Sequence, residues 1–154
     1  MEHLHIHLHP MIVHFPIALL IAAWVIETLA LAFRRPAWHK ISLWNMGLGT
    51  LGALAAVLTG QQAMAAAKHS MEIYQVMELH ERLGYVVLTL SATIAGWRVF
   101  KGDRLGRRSR WLLWGLLTCA VGLMAFSAHL GGRMVYEFGV GGSYGRSSGV
   151  EVVQ

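Results

Sequence analysis

The chain has little of what soluble proteins use to stabilise a fold or to contact water. It contains one cysteine, Cys119, so an intramolecular disulfide is excluded. Only 14% of its 154 residues are charged, while 55% are hydrophobic and the mean hydropathy is +0.48. An average soluble domain carries about 25% charged residues. The composition therefore indicates an integral membrane protein.

Acidic residues are scarce, with 8 Asp and Glu against 13 Lys and Arg and a formal net charge of +5. In a membrane chain such a balance reports topology rather than nucleic-acid binding, because cations concentrate in cytoplasmic loops. The apolar runs contain no nucleophile beside a base, no phosphate-binding glycine loop and no pair of acid–base carboxylates. The pattern argues against hydrolase or transferase chemistry and against a nucleic-acid partner.

Four apolar runs are long enough to cross a bilayer, which takes about 20 residues of helix. They cover residues 10–33, 41–60, 80–100 and 111–130. We predict an all-α integral membrane domain over residues 1–130, a four-helix bundle with up-down-up-down topology. Gly52, Ala56 and Gly60 form a small-residue stripe that predicts close helix packing. Residues 131–154 are rich in Gly and Ser and are predicted to form an irregular tail.

The cations predict the orientation of the four spans. Nine of the 13 Lys and Arg lie near two loops: Arg34, Arg35, Lys40, Arg98, Lys101, Arg104, Arg107, Arg108 and Arg110. By the positive-inside rule these loops face the cytoplasm, and both termini and the tail face the periplasm of a bacterial inner membrane. Most tryptophans lie near the cytoplasmic ends, as in an aromatic belt.

The first span has no preceding cations and is long enough to remain as a helix rather than a cleaved signal peptide.

Three histidines fall at one predicted depth in the membrane. His14 lies twenty residues before Arg34, His80 twenty-one before Lys101, and His129 nineteen after Arg110. At the helical rise all three stand roughly 28 to 32 Å from the cytoplasmic face, at the outer edge of the hydrocarbon. Ionisable side chains at membrane depth are functional candidates by default.

These histidines predict a cofactor site near the periplasmic face. Haem b needs an axial nitrogen on each side, and histidines on diagonal helices of a bundle can supply them. We predict His14 and His80 as the axial pair, with His129 as an alternative ligand or part of a quinone pocket. The expected function is electron transfer between a quinone and a periplasmic or membrane partner.

Two other interpretations of the histidines remain open. In the first, His9, His14, His80 and His129 bind a zinc, copper or iron ion for storage or transport. In the second, interfacial histidines only hydrogen-bond headgroups, water and carbonyls, and the chain is an accessory subunit without a cofactor. The sequence leaves the oligomeric state open.

Two further features carry ionisable groups. His3, His5, His7 and His9 alternate with other residues, so an extended segment would place them on one face and could feed a metal site, while a disordered arm is an equal alternative. Glu27 lies in the cytoplasmic half of the first span. Such a carboxylate could move protons or be protonated and hydrogen-bonded.

Several motifs resemble one bacterial family. They are HPMIVHFPIAL at residues 9–19, Thr59-Gly60, His80, GGRMVY at residues 131–136 and Gly139-Val140-Gly141. Together they resemble the four-helix predicted membrane protein family called domain of unknown function 2231. The resemblance implies a four-helix membrane fold and points to His9, His14, His80 and the glycine-rich segment after His129. It also implies an association with Rieske or c-type haem domains. The family pattern often has histidine where this chain has Phe138.

Overall fold

A computed structural model describes residues 2–66 and 71–140, without the side chains of residues 2–8, 66 and 103. Four long α-helices follow one another: α1 (Glu2–Ala32), α2 (Pro36–Ala66), α3 (Met71–Lys101) and α4 (Arg107–Tyr136). A 3₁₀ turn, Gly102–Arg104, joins α3 to α4. The described part of the chain contains no strand, which confirms the all-α class.

Each helix contains a segment long and apolar enough to cross a membrane. The four segments are His9–Ala32, Pro36–Ala65, Met71–Lys101 and Arg107–Tyr136. Large apolar side chains such as Trp44, Leu51 and Phe100 lie on the outside of the bundle. In water such a surface would be unstable, whereas lipid solvates it. The predicted four-helix membrane fold is confirmed.

The helices pack in a ring in chain order, so α1 contacts α2 and α4, and α3 contacts α2 and α4. The α1–α2 interface is the most extensive and the α1–α4 interface the smallest. Helices α1 and α3 are diagonal. Side chains from all four helices form the core: Leu20, Ala23, Met46, Val87, Ile94, Leu113, Leu117 and Met124. We call the end of the bundle with His9 and His80 the histidine end, and the end with the α1–α2 and α3–α4 turns the arginine end.

All four helices extend beyond their apolar runs. Helix α1 begins at Glu2, eight residues before the run that starts at Pro10. The extended and disordered alternatives for the N-terminal histidine segment are both wrong, because its backbone is helical from Glu2. Helix α4 continues through Gly131 and Gly132 to Tyr136, into the segment predicted to be irregular. Residues 141–154 of that tail lie outside the described residues.

The predicted small-residue stripe of α2 lies against α1. A Cβ on Gly52 would stand 3.2 Å from Cδ of Pro16, and one on Gly60 would stand 3.0 Å from Cε1 of His9. Both distances are shorter than normal van der Waals contact, so only glycine allows α1 to approach this closely. The close approach is why the α1–α2 interface is so extensive.

A reciprocal pair of hydrogen bonds closes the ring between α1 and α4. The indole N–H of Trp24 donates to Oγ1 of Thr118 at 2.9 Å, and the indole N–H of Trp114 donates to Oγ1 of Thr28 at 2.9 Å. Each threonine hydroxyl in turn donates to the carbonyl of the tryptophan four residues before it. We call these four residues the Trp–Thr clasp. It satisfies two indole donors that lipid could not.

Candidate cofactor site and buried ion pair

The rings of His9 and His80 meet at the histidine end of the bundle. They come from the diagonal helices α1 and α3, their centroids are 6.3 Å apart, and their planes make an angle of 89°. Both side chains are partly buried. Two imidazoles that approach each other from diagonal helices of a bundle can hold a ligand together.

The His80 ring is held by α4. Its Nδ1–H donates to the carbonyl oxygen of Ser127 at 2.9 Å, and the Ser127 hydroxyl oxygen lies 3.1 Å from the same nitrogen. Because a carbonyl can only accept, Nδ1 carries the proton of the neutral ring. The lone pair is then on Nε2. Metal-binding histidines are commonly held by such a bond to a carbonyl.

The His9 ring is held in the same manner by α2. The Thr59 hydroxyl donates to the carbonyl of Ala55 at 2.8 Å, so its oxygen accepts from Nδ1–H of His9 at 3.2 Å. Nε2 of His9 therefore also carries a lone pair. The backbone of Ala56 is a further hydrogen-bond partner of the His9 ring. With Nδ1 of His80 held by Ser127, Nε2 of His80 is the ring nitrogen that remains to bind a ligand.

Two glycines on the remaining helices make room for the rings. A Cβ on Gly60 of α2 would stand 3.0 Å from Cε1 of His9, and one on Gly131 of α4 would stand 3.4 Å from Cε1 of His80. Gly60 leaves less room than Gly131. A larger side chain at residue 60 has to displace the His9 ring from Thr59.

Replacing Gly60 by valine should disrupt this site. We expect the free energy of unfolding to fall by about 1–3 kcal/mol, because an overpacked interface forces side chains and backbone to shift. Unfolding of the purified protein in mixed detergent micelles measures the loss. The control is Gly122→Val, since a Cβ at Gly122 has nothing within 4 Å. An equal effect of both substitutions would mean that the His9 contact is unimportant and that valine acts only through helix propensity.

The structure places His14 and His129 differently from His9 and His80. His14 is exposed and its Nδ1 donates to the carbonyl of Pro10 within its own helix, at 2.6 Å. His129 is exposed on α4. Among the side chains that the structure describes, in residues 9–65, 71–102 and 104–140, no three His, Cys, Asp or Glu are grouped so as to hold a metal ion. The ligand roles predicted for His14 and His129 stay predictions.

A second polar cluster lies near the arginine end, around Glu27 of α1. Glu27 is only 4% exposed. Its Oε1 accepts a hydrogen bond from Nδ1 of His39 at 2.8 Å, and its Oε2 lies 2.9 Å from Nη2 of Arg98. The Oε2–Arg98 contact is close but not aligned as a hydrogen bond. Three helices therefore meet at one carboxylate.

Arg98 is buried with Glu27, although the sequence placed it among the cations that mark the cytoplasmic loops. It is 5% exposed, and it donates to the carbonyl of His39 at 2.7 Å and to Oγ of Ser42 at 3.2 Å. The Ser42 hydroxyl donates its own proton to the carbonyl of Ala23. Glu27 is thus paired with a cation rather than alone in the bundle. The two partners account for the burial of both side chains, because each compensates the charge of the other.

A comparison with protein families identifies the type of chain that carries these two clusters. A family model described as predicted membrane protein (DUF2231) matches residues 5–143. The chain belongs to this family. The match includes all four spans and both clusters of the DUF2231 chain. No curated protein and no solved structure matches it significantly.

The structure of this DUF2231 chain gives four residues contacts that the sequence did not predict. Ser127 and the hydroxyl of Thr59 hold the histidine rings, and His39 and Arg98 hold Glu27. The spacing of residues along α1 could have predicted that His9 points inward. His9 is followed at seven-residue intervals by Pro16, Ala23 and Ala30, and these three later residues are buried. This heptad marks the inward face of α1 and includes His9 but not His14.

Proposed function

We propose that His9 and His80 are the axial ligands of a b-type haem, and that the protein transfers electrons between a quinone and a periplasmic or membrane partner in the bacterial inner membrane. The observation that carries the proposal is the pair of neighbouring rings from diagonal helices, with centroids 6.3 Å apart and Nδ1 of each ring in a hydrogen bond. This pair differs from the predicted one by replacing His14 with His9.

The separation of the rings suits a metal between them. With a metal–nitrogen bond of about 2.0–2.1 Å, each ring centroid stands about 3.2 Å from the metal. The ring centroids are 6.3 Å apart, so one metal atom held by both side chains would fit between them. The protein would supply one imidazole nitrogen from α1 and one from α3.

The number of ligands favours haem over a bare ion. Structural zinc sites use four protein ligands and catalytic ones three, and no such group of His, Cys, Asp and Glu occurs in the described part of the chain. Haem iron takes its other four nitrogens from the porphyrin and needs only two from the protein. A bound haem would exchange single electrons, which is the chemistry that an electron carrier requires.

A metal-ion binding protein or transporter is the second candidate. The observation that favours it is the length of α1, which begins at Glu2 and so places His5 one turn before His9 on the same helix. Residues four apart on a helix can chelate one ion, as in zinc-binding helices. In this alternative the N-terminal turns of α1 deliver zinc, copper or iron to His9 and His80.

A reduced-minus-oxidised absorption spectrum tests the proposal. The protein is purified in detergent from cells supplied with a haem precursor and is reduced with dithionite. A sharp α-band and a stoichiometric Soret peak support a bis-histidine haem. A flat spectrum contradicts it, and elemental analysis of the same sample for zinc, copper and iron then decides on the metal-ion alternative.

A further inference from the structure

Gln61 and Tyr85 form a polar pair on the outside of the bundle, beside the histidine end. The amide N–H of Gln61 on α2 donates a hydrogen bond to the hydroxyl oxygen of Tyr85 on α3. Tyr85 remains 39% exposed, and Gln61 is exposed as well. The pair therefore bridges two neighbouring helices and still faces the surroundings of the protein.

Two hydrogen-bonding functions of this pair are unused. Tyr85 accepts through its oxygen, so its hydroxyl proton is free to donate, and Gln61 keeps a free amide carbonyl. No described residue accepts that proton or donates to that carbonyl. Free polar groups at the edge of the hydrocarbon are unfavourable unless water or a ligand satisfies them. The pair thus offers one donor and one acceptor side by side.

The pair is close to the two-histidine site. Gln61 follows Gly60 on α2, and the His9 ring fills the space that a side chain at residue 60 would need. Tyr85 lies five residues after His80, about 7.5 Å further along α3 at the helical rise. Next to Tyr85, Gly84 of α3 packs against Val57 of α2, where a Cβ at residue 84 would stand 3.6 Å from the valine methyl. The two helices are therefore in close contact beside the polar pair.

We infer that Gln61 and Tyr85 bind the headgroup of a lipid-soluble quinone at this face, an inference that rests on the proposed electron-transfer function and names where its membrane partner binds. The Tyr85 hydroxyl can donate a hydrogen bond to a quinone carbonyl, and the Gln61 carbonyl can accept a hydrogen bond from a quinol hydroxyl. The pair therefore complements both forms of the ligand. The exposed position lets the headgroup arrive from the bilayer without entering the bundle.

Binding of ubiquinone-1 to the full chain in phosphatidylcholine nanodiscs tests the inference. Equilibrium dialysis measures the bound quinone, and empty nanodiscs give the background from partition into lipid. We expect saturable binding of one equivalent to the wild type. Tyr85→Phe and Gln61→Leu should each raise the dissociation constant about fivefold to tenfold, since each removes one hydrogen bond to the ligand.

The control is Tyr136→Phe, the same change at an exposed tyrosine near the end of α4. It should bind quinone like the wild type. Equal binding by Tyr85→Phe and the wild type, or only non-saturable partition, overturns the inference. Quinone binding is measured independently of haem, so the two proposals can fail separately. If the protein shows a haem spectrum but Tyr85→Phe binds quinone like the wild type, the quinone site is rejected and the haem proposal stands. If the spectrum is flat but quinone binding depends on Tyr85, the haem proposal is rejected and the quinone site stands.

Discussion

Replacing Glu27 by glutamine should destabilise the protein by about 3–5 kcal/mol, because removing one partner of a buried ion pair leaves the other charge uncompensated. The charge left behind is Arg98, which is 5% exposed and held between α1 and α2. Glutamine has nearly the same shape as glutamate and can still accept a hydrogen bond from His39. The expected loss is therefore electrostatic. Reversible unfolding in mixed detergent micelles measures it.

A double variant separates this explanation from a general packing defect. Arg98→Met alone should also destabilise the protein, since it leaves the Glu27 carboxylate unpaired. Combining Glu27→Gln with Arg98→Met removes both charges, and the double variant should be more stable than either single variant. If the double variant loses as much stability as the two single variants together, the ion pair makes no measurable contribution and the explanation is wrong. Arg108→Gln, which removes an exposed cation at the arginine end, is the matched surface control and should stay within about 0.5 kcal/mol of the wild type.

Replacing His80 by alanine should abolish haem incorporation completely. His80 supplies one of the two nitrogens proposed to hold the iron, and its ring is the one fixed to Ser127 of α4. His9→Ala should have the same effect through the opposite nitrogen. The measurement is the haem-to-protein ratio of each purified variant, from the Soret absorbance and the protein concentration.

The exposed histidines provide matched controls for this experiment. His14→Ala and His129→Ala should keep a normal bis-histidine spectrum, since both side chains lie on outward faces. Loss of haem in His14→Ala with retention in His9→Ala would restore the pair predicted from the sequence. A normal spectrum in His80→Ala would reject the site altogether.

The sequence predicts the depth of a side chain in the membrane better than it predicts the direction in which that side chain points from its helix. Counting residues from the cationic loops places His14, His80 and His129 at one level, because rise along a helix depends only on residue number. Which way a side chain points depends on the rotation of its helix, and that is set by packing. His9 and His14 are five residues apart, roughly 140° around α1 at about 100° per residue. One faces the core and the other faces outward.

The partners of Glu27 show a related limit. The sequence contains a carboxylate within a span and many cations near the loops, and the positive-inside rule accounts for the cations as markers of topology. Nothing in the local pattern separates Arg98 from Lys101. Only the position of α3 against α1 shows that Arg98 turns inward to Glu27. By contrast, the glycine stripe of α2 was predicted, because small residues at a four-residue spacing need no tertiary information to suggest close packing.

The hydrogen bond between His80 and Ser127 of α4 affects when the two-histidine site can form during synthesis of the chain. A ribosome delivers α1, α2 and α3 before α4, so both histidines are inserted while the Ser127 carbonyl is still to be made. Until then His80 lacks its fixed tautomer, and the Trp–Thr clasp that joins the first helix to the last cannot form. The two-histidine site is therefore complete only after α4 has been made. A truncated or stalled chain would carry both imidazoles without the contact that holds the His80 ring in place.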